Sequence, residues 1–209
     1  MKKMVLGSLA TAMLALSSSV MAANFEEGRD YTVLANPGKI NTPGNGNKIE
    51  VREFFWYGCG HCFKLEPHMQ NWIRTMPKDV HFVRTPAAMN PVWESNARGY
   101  YVLEALGLRS KTHLPLFHAI HDGKKQIFDQ KSQAQFFVKY GVPEAKFNSM
   151  FNSFPISSKI AESNQLARQY QLTGVPAIIV NGKYLVQGED GKVPQVVNYL
   201  IEKERKAAK

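Results

Sequence analysis

Two cysteines occur in the 209-residue chain, and both lie in one tetrapeptide, Cys59-Gly60-His61-Cys62. Sulfurs at this spacing can close a disulfide, hold a metal or exchange electrons with other thiols. The surroundings separate these chemistries: the tetrapeptide follows an apolar strand pattern and opens a helical one. Amide groups at a helix N-terminus are unpaired and carry roughly half a positive charge, so a sulfur at Cys59 is favoured as thiolate. Cys62, a turn later, falls on the apolar helix face and is shielded. Cys59 should therefore attack and be attacked, and Cys62 should resolve. A zinc half-site with His61 or His68 lacks a second ligand pair at recognisable spacing. A purely structural disulfide gains less from closing so short a loop than a long one would. Redox exchange carries most of the weight, with no metal and no cofactor expected.

The elements that must position these sulfurs are legible. Residues 49–57 (IEVREFFWY) alternate with large apolar groups on both faces, which predicts a central strand covered on both sides. Gly58 turns the chain. Cys62, Leu65, Met69, Trp72, Ile73 and Met76 then keep helical spacing, with Pro67 expected to kink the helix. Residues 80–85 (VHFVRT) complete a strand, helix, strand unit of the kind that builds a parallel sheet. Five helical stretches are expected next, at 91–106, 114–121, 132–140, 143–152 and 157–171. The third opens with Ser132 and Gln135 at capping-box spacing. Residues 177–180 and 183–186 flank Asn181-Gly182, a strong hairpin signal. An amphipathic helix with Val193, Val196, Val197, Leu200 and Ile201 on one face ends the chain. The expected class is therefore α/β, a small sheet unit interrupted by helices.

Hydrophobic residues make up 44 % of the chain and charged ones 21 %, which excludes disorder, collagen and coiled coil. The formal charge of +9 raises nucleic acid as a partner. Residues 1–22 revise that. Two lysines, a thirteen-residue apolar run at 4–16 and small residues at Val20 and Ala22 read as a secretory signal cleaved after Ala22. The run is too short for a span of about 20 residues. The 187 residues that follow carry 24 positive and 17 negative side chains, a charge of +7 without a run of five like charges. No nucleic-acid partner is expected; anionic envelope surfaces or partner segments suit a basic exported protein better.

FFWYGCGHC followed by FKLEP, with Gly174-Val175-Pro176-Ala177 before a strand and Asn181-Gly182-Lys183-Tyr184 after it, resembles the DsbA family of periplasmic thiol:disulfide oxidoreductases. The likeness covers nearly the whole chain after residue 22. It implies a thioredoxin fold with an inserted helical domain: thioredoxin-like parts at 23–86 and 162–209, and the insertion at 87–161. It also implies a dithiol oxidase that acts on reduced exported proteins or peptides in the periplasm, is reoxidised by a DsbB-like membrane quinone reductase, and is monomeric. Val175 and Pro176 match the cis-proline loop that pairs with the substrate backbone, and Val175 rather than Thr is similar to the oxidase branch.

Glu53 is the most instructive of the supporting residues. Periodicity places it on a covered strand face, where a carboxyl either holds its proton tightly or escapes to solvent through a bulge. The resemblance implies a buried acid that helps move the proton of Cys62, and Arg84, on a matching face of the next strand, is its candidate partner. His61 is read as tuning Cys59. The other five histidines give no comparable signal, and Trp56 and Phe54 fit either core or a docking surface for unfolded substrate. An isomerase or reductase of the same fold is the same-class alternative, but such relatives carry a dimerisation domain for which the 187 residues leave no room. A peptide-binding chaperone or metal carrier with incidental cysteines is the alternative from another class. Gly60 stands where the family most often has Pro, which implies a milder oxidant than the Pro-His members. Equilibration against glutathione buffers measures this, and a potential as reducing as thioredoxin's would contradict the oxidase reading.

Overall fold

The computed structural model describes residues 25–38 and 48–207. The expected signal, residues 1–22, lies outside them. Among the described residues no helix is long and apolar enough to cross a membrane. In chain order the elements are β1 (Thr32–Val33), β2 (Ile49–Phe55), α1 (Gly60–Thr75), β3 (Val80–Pro86), α2 (Pro91–Ala105), α3 (Arg109–His121), α4 (Gln130–Phe137), α5 (Glu144–Phe151), α6 (Phe154–Gln169), β4 (Ala177–Val180), β5 (Tyr184–Val186) and α7 (Lys192–Ala207). The strands form one sheet in the order β1-β5-β4-β2-β3, with β2 and β3 parallel and the other pairs antiparallel.

β2 is covered on both faces, as its alternation predicts. On one face Val51 packs with Leu65, Met69 and Trp72 of α1 and with Val197 and Leu200 of α7. On the other, Phe54 meets Ala167 and Tyr170 at the end of α6. Burying a Phe or Leu side chain of this kind contributes about 1.5–3 kcal/mol. Beyond the sheet, Phe55 and Tyr57 reach into a third cluster built mainly by α2 to α6, and Cys62 belongs to that cluster too. The end of β2 and the start of α1 are thereby seated between sheet and helical block. The register sets Glu53 beside Arg84 on one side and Ile178 on the other.

Several boundaries differ from the sequence reading for identifiable reasons. β2 ends at Phe55, because Tyr57 and Gly58 already form the turn. Gly58 is needed there: a Cβ would lie 2.3 Å from the Trp56 ring. α4 begins at Gln130, not Ser132. Asp129 caps it by accepting from the Ser132 amide at 2.7 Å while Ser132 Oγ accepts from the Asp129 amide at 3.3 Å, so Ser132 is the far half of the box. α3 starts five residues before the expected Leu114 and runs through Pro115, while α1 carries Pro67 inside it as expected. α6 starts at Phe154, with Pro155 in its first turn, where the missing N–H costs no hydrogen bond; it runs unbroken across residues 161 and 162. The β4–β5 hairpin spans three residues, Lys183 included, and Asn181 and Gly182 take positive φ of 50° and 65°.

Candidate active site

Cys59 caps α1 with its own sulfur. Its backbone is extended, φ −82° and ψ 114°, and its Sγ accepts from the Cys62 amide at 3.3 Å. Because β2 ends four residues earlier, the chain leaves the sheet, turns at Gly58 and enters the helix with this sulfur over the unpaired amides. Both cysteines are free thiols. A hydrogen bond from the Cys62 thiol, then the amides of Cys62 and His61 and the charge of His61, bring the Cys59 thiol down to about 6 against the opposing effect of burial. Cys62 is pushed far up, first by burial and then by its bond to Cys59 and the charges of Cys59 and Glu53. The two sulfurs thus sit in unequal surroundings, one at the helix end and one on its buried apolar face.

Two loops distant in sequence meet Cys59. The Val175–Pro176 peptide is cis, and the Val175 carbonyl accepts from the Cys59 thiol at 3.3 Å. On the solvent side, Nδ1 of exposed His61 pairs with Glu189, whose other oxygen is 3.1 Å from Lys64 Nζ. These partners, with His61 first, hold the Glu189 carboxyl below the usual range. Nothing local in the sequence marks Glu189, which arrives from the loop after β5. A Cβ added at Gly60 meets nothing within 4 Å, so this position is open.

A second, buried polar cluster joins β2, β3, α1 and α3, and the charge of its Glu53 acts on Cys62. Glu53 is fully buried and escapes by no bulge, and Arg84 Nε donates to its Oε2 at 2.9 Å. The same guanidinium donates from Nη2 to Glu66 Oε1 at 2.8 Å. Gln70 Nε2 donates to that oxygen at 2.6 Å, and His113 Nε2 lies 3.3 Å from it. Burial raises Glu53 to about 7; Arg84 opposes the shift and Glu66 adds to it. Glu66 is held low despite its burial by His113, Arg84 and Gln70. Sequence reasoning found Glu53 and Arg84 and missed Glu66, although an acid one turn after Cys62 and next to Leu65 signals a buried charge. It also treated His113 as an ordinary histidine. His113 is buried, with Nδ1 3.0 Å from Tyr57 Oη.

Trp56 and His121 brace the turn before Cys59. Trp56 stacks on Trp93 at 5.0 Å and donates from Nε1 to Asn96 Oδ1 at 2.9 Å, while Phe54 is core. His121 stacks on Phe63 at 4.7 Å and its Nε2 lies 2.8 Å from the Tyr57 carbonyl, which supports the turn before Cys59. Among the described residues no three His, Cys, Asp or Glu side chains form a group fit to hold a metal.

Residues 50–200 match the family described as DSBA-like thioredoxin domain. A thiol:disulfide interchange protein DsbA of Pseudomonas aeruginosa is 40 % identical over 207 residues, 95 % of this chain and 97 % of that one. One from Pseudomonas syringae pv. tomato is 38 % identical over 214 residues, 100 % of this chain and 99 % of the relative. The crystal structure of Pseudomonas aeruginosa DsbA superposes with a TM-score of 0.81 at 39 % identity, covering 88 % of this chain and 96 % of the other. The fold is thus the thioredoxin-like α/β fold with helices between its sheet strands that the sequence led one to expect. The site's asymmetry has a direct spectroscopic consequence: in the reduced protein, thiolate absorbance should rise by one equivalent with a midpoint near pH 6 and no second step before pH 9. Two overlapping steps near pH 8 to 9 would contradict it.

Proposed function

The chain belongs to the DSBA-like thioredoxin family and is a thiol:disulfide interchange protein, and we propose that Cys59 and Cys62 carry the exchange and run it as an oxidation of dithiols in exported proteins. The observation that carries this reading is the unequal setting of the two sulfurs: Cys59 at the amides of α1, Cys62 in the core. Those amides stabilise a thiolate and have no comparable charge to act on in a disulfide. The reduced form is therefore favoured, which is what an oxidant requires. About 30 mV corresponds to about 1.4 kcal/mol for a two-electron couple, so a few hydrogen bonds to one sulfur are enough to set the direction.

In the forward reaction a substrate thiolate attacks Cys59 Sγ of the disulfide. The Cys59–Cys62 bond breaks, its electron pair goes to Cys62, and a mixed disulfide forms. Cys62 cannot remain anionic in its apolar setting and takes a proton, for which buried Glu53, whose charge acts on Cys62, is the donor, poised between its two forms near neutral pH. A second substrate thiolate then attacks the substrate sulfur of the mixed disulfide and releases Cys59 as thiolate. Substrate has lost two electrons and the enzyme has become a dithiol. Val175 and Pro176 would align the substrate backbone beside Cys59, and His61 would tune its sulfur. Gly60 makes the protein a milder oxidant than Pro-His relatives.

Reduced exported proteins are the substrates, and the leading pattern of residues 1–22 supports the periplasm as the compartment. Reoxidation falls to a DsbB-like membrane quinone reductase, and the enzyme works as a monomer. In the proposed division into sheet parts at 23–86 and 162–209 and an insertion at 87–161, whose later boundary falls inside α6, the former carries the two cysteines and the latter covers Cys62. The test is oxidation of a reduced dithiol peptide by the oxidised protein from pH 5 to 8. Wild type should oxidise it, Cys59→Ala should have no activity, and Glu53→Gln should be slower by about 10-fold or more. A Cys59→Ala variant that kept full activity in promoting the folding of a disulfide-dependent substrate would favour a chaperone or carrier with incidental cysteines, and an unchanged Glu53→Gln profile would remove Glu53 from the mechanism.

A further inference from the structure

We propose that His113, a residue of the helical block, is a positioning residue for the redox reaction: it keeps the negative charge on Glu66, so that the exchangeable proton of the buried acid pair resides on Glu53, the proton partner proposed for Cys62. The inference rests on the reading of Glu53 as the proton partner of Cys62 and adds which residues decide where that proton is kept.

One guanidinium cannot neutralise two buried carboxylates, so one of the pair holds a proton near neutral pH. Arg84 itself does not choose between them, since it donates to Glu53 at 2.9 Å and to Glu66 at 2.8 Å. The choice falls to the other donors. Glu66 Oε1 has Gln70 at 2.6 Å and His113 at 3.3 Å in addition. Glu53 has Arg84 alone, and its Oε1 has no hydrogen-bond partner among the described residues. Donors stabilise the charged form of a carboxyl, so the charge belongs on Glu66 and the proton on Glu53.

His113 suits this role because its tautomer is set from the opposite side. Tyr57 Oη is 3.0 Å from Nδ1, and a hydroxyl that donates there leaves the ring proton on Nε2, the nitrogen that faces Glu66. The 3.3 Å contact is too long or too bent for a full hydrogen bond, so its effect is that of an N–H dipole aimed at a carboxylate. The groups that face the ring are Tyr57 from the turn after β2, Glu66 from α1, Arg84 from β3, Tyr100 from α2 and Arg109 from its own helix. Burial, with the charges of Arg84 and Arg109, outweighs Glu66 and keeps the imidazole neutral. It therefore orients the charge of the pair without adding one. α3 brings this nitrogen to the site, which gives the helical block an electrostatic part in the chemistry besides covering Cys62.

The test follows the carboxyl carbons of the full chain, labelled with ¹³C-glutamate and assigned through Glu53→Gln and Glu66→Gln, by NMR from pH 5 to 8. In the wild type, Glu53 should titrate near 7 while Glu66 stays at its ionised position. His113→Leu should bring Glu66 into the titration, and His113→Gln, whose amide nitrogen can face the same oxygen, should restore the wild-type pattern. Tyr57→Phe keeps the ring but frees the tautomer, and it should move Glu66 in the same direction even if His113→Leu does not fold. The proposal is overturned if Glu66 titrates in the wild type, or if it stays ionised in every folded variant of these two positions. Because the readout is ionisation and not turnover, it stands apart from the Glu53→Gln rate, whose failure would remove the proton-transfer role alone.

Discussion

The Cys62 amide points at the Cys59 sulfur across 3.3 Å because α1 begins there, and this contact requires the chain to leave a buried strand and enter a helix within four residues. A helix end offers its amides to whatever stands before it. Here that group is a sulfur, and the next turn carries the second sulfur inward to the cluster of Phe55, Tyr57 and Phe117. The same backbone therefore gives two identical side chains opposite surroundings. Gly58, packed beneath Trp56, and the Trp56–Trp93 stack hold the turn that makes this possible.

Seating Cys62 in the core creates a second demand. In the proposed mechanism the buried Cys62 thiol exchanges its proton with a buried partner, and a lone carboxyl among apolar groups would stay neutral and inert. Arg84 meets that demand by sitting opposite Glu53 in the β2–β3 register and bridging to Glu66 on α1. Replacing one member of such a cluster leaves the others unpaired, which usually costs more than the intact cluster contributes. The cluster also ties three layers together, since β3 supplies the cation, α1 one acid and α3 the imidazole.

Much of this was legible before any coordinates. Two-sided burial of β2 and the tetrapeptide at a strand-to-helix junction follow from periodicity, because strand alternation is a local property, whereas Arg84 was only a candidate partner of Glu53 until the β2–β3 register set the two side by side. What escaped was set by tertiary packing. Glu189 reaches His61 from 128 positions away, and His113 is buried against Phe55 and Tyr57 from the end of β2 and the turn after it, and Tyr100 from α2. Helix starts were misplaced where Asp129 outcompeted Ser132 as a cap, and where Pro115 was tolerated inside a helix that begins six residues before it. Glu66 was within reach: an acid one turn past a core cysteine asks for a partner.

The central claim is that the reduced protein holds one thiolate and one thiol at neutral pH, and the pH dependence of its reduction potential tests this most directly. Each proton taken up with two electrons lowers the potential by about 30 mV per pH unit. Equilibration with dithiol buffers should give a slope of about 30 mV per unit from pH 7 to 8.5 and about 60 mV per unit below pH 5, with the change centred near 6. A slope of about 60 mV per unit persisting to pH 8 would mean that both sulfurs stay protonated, and would contradict the account.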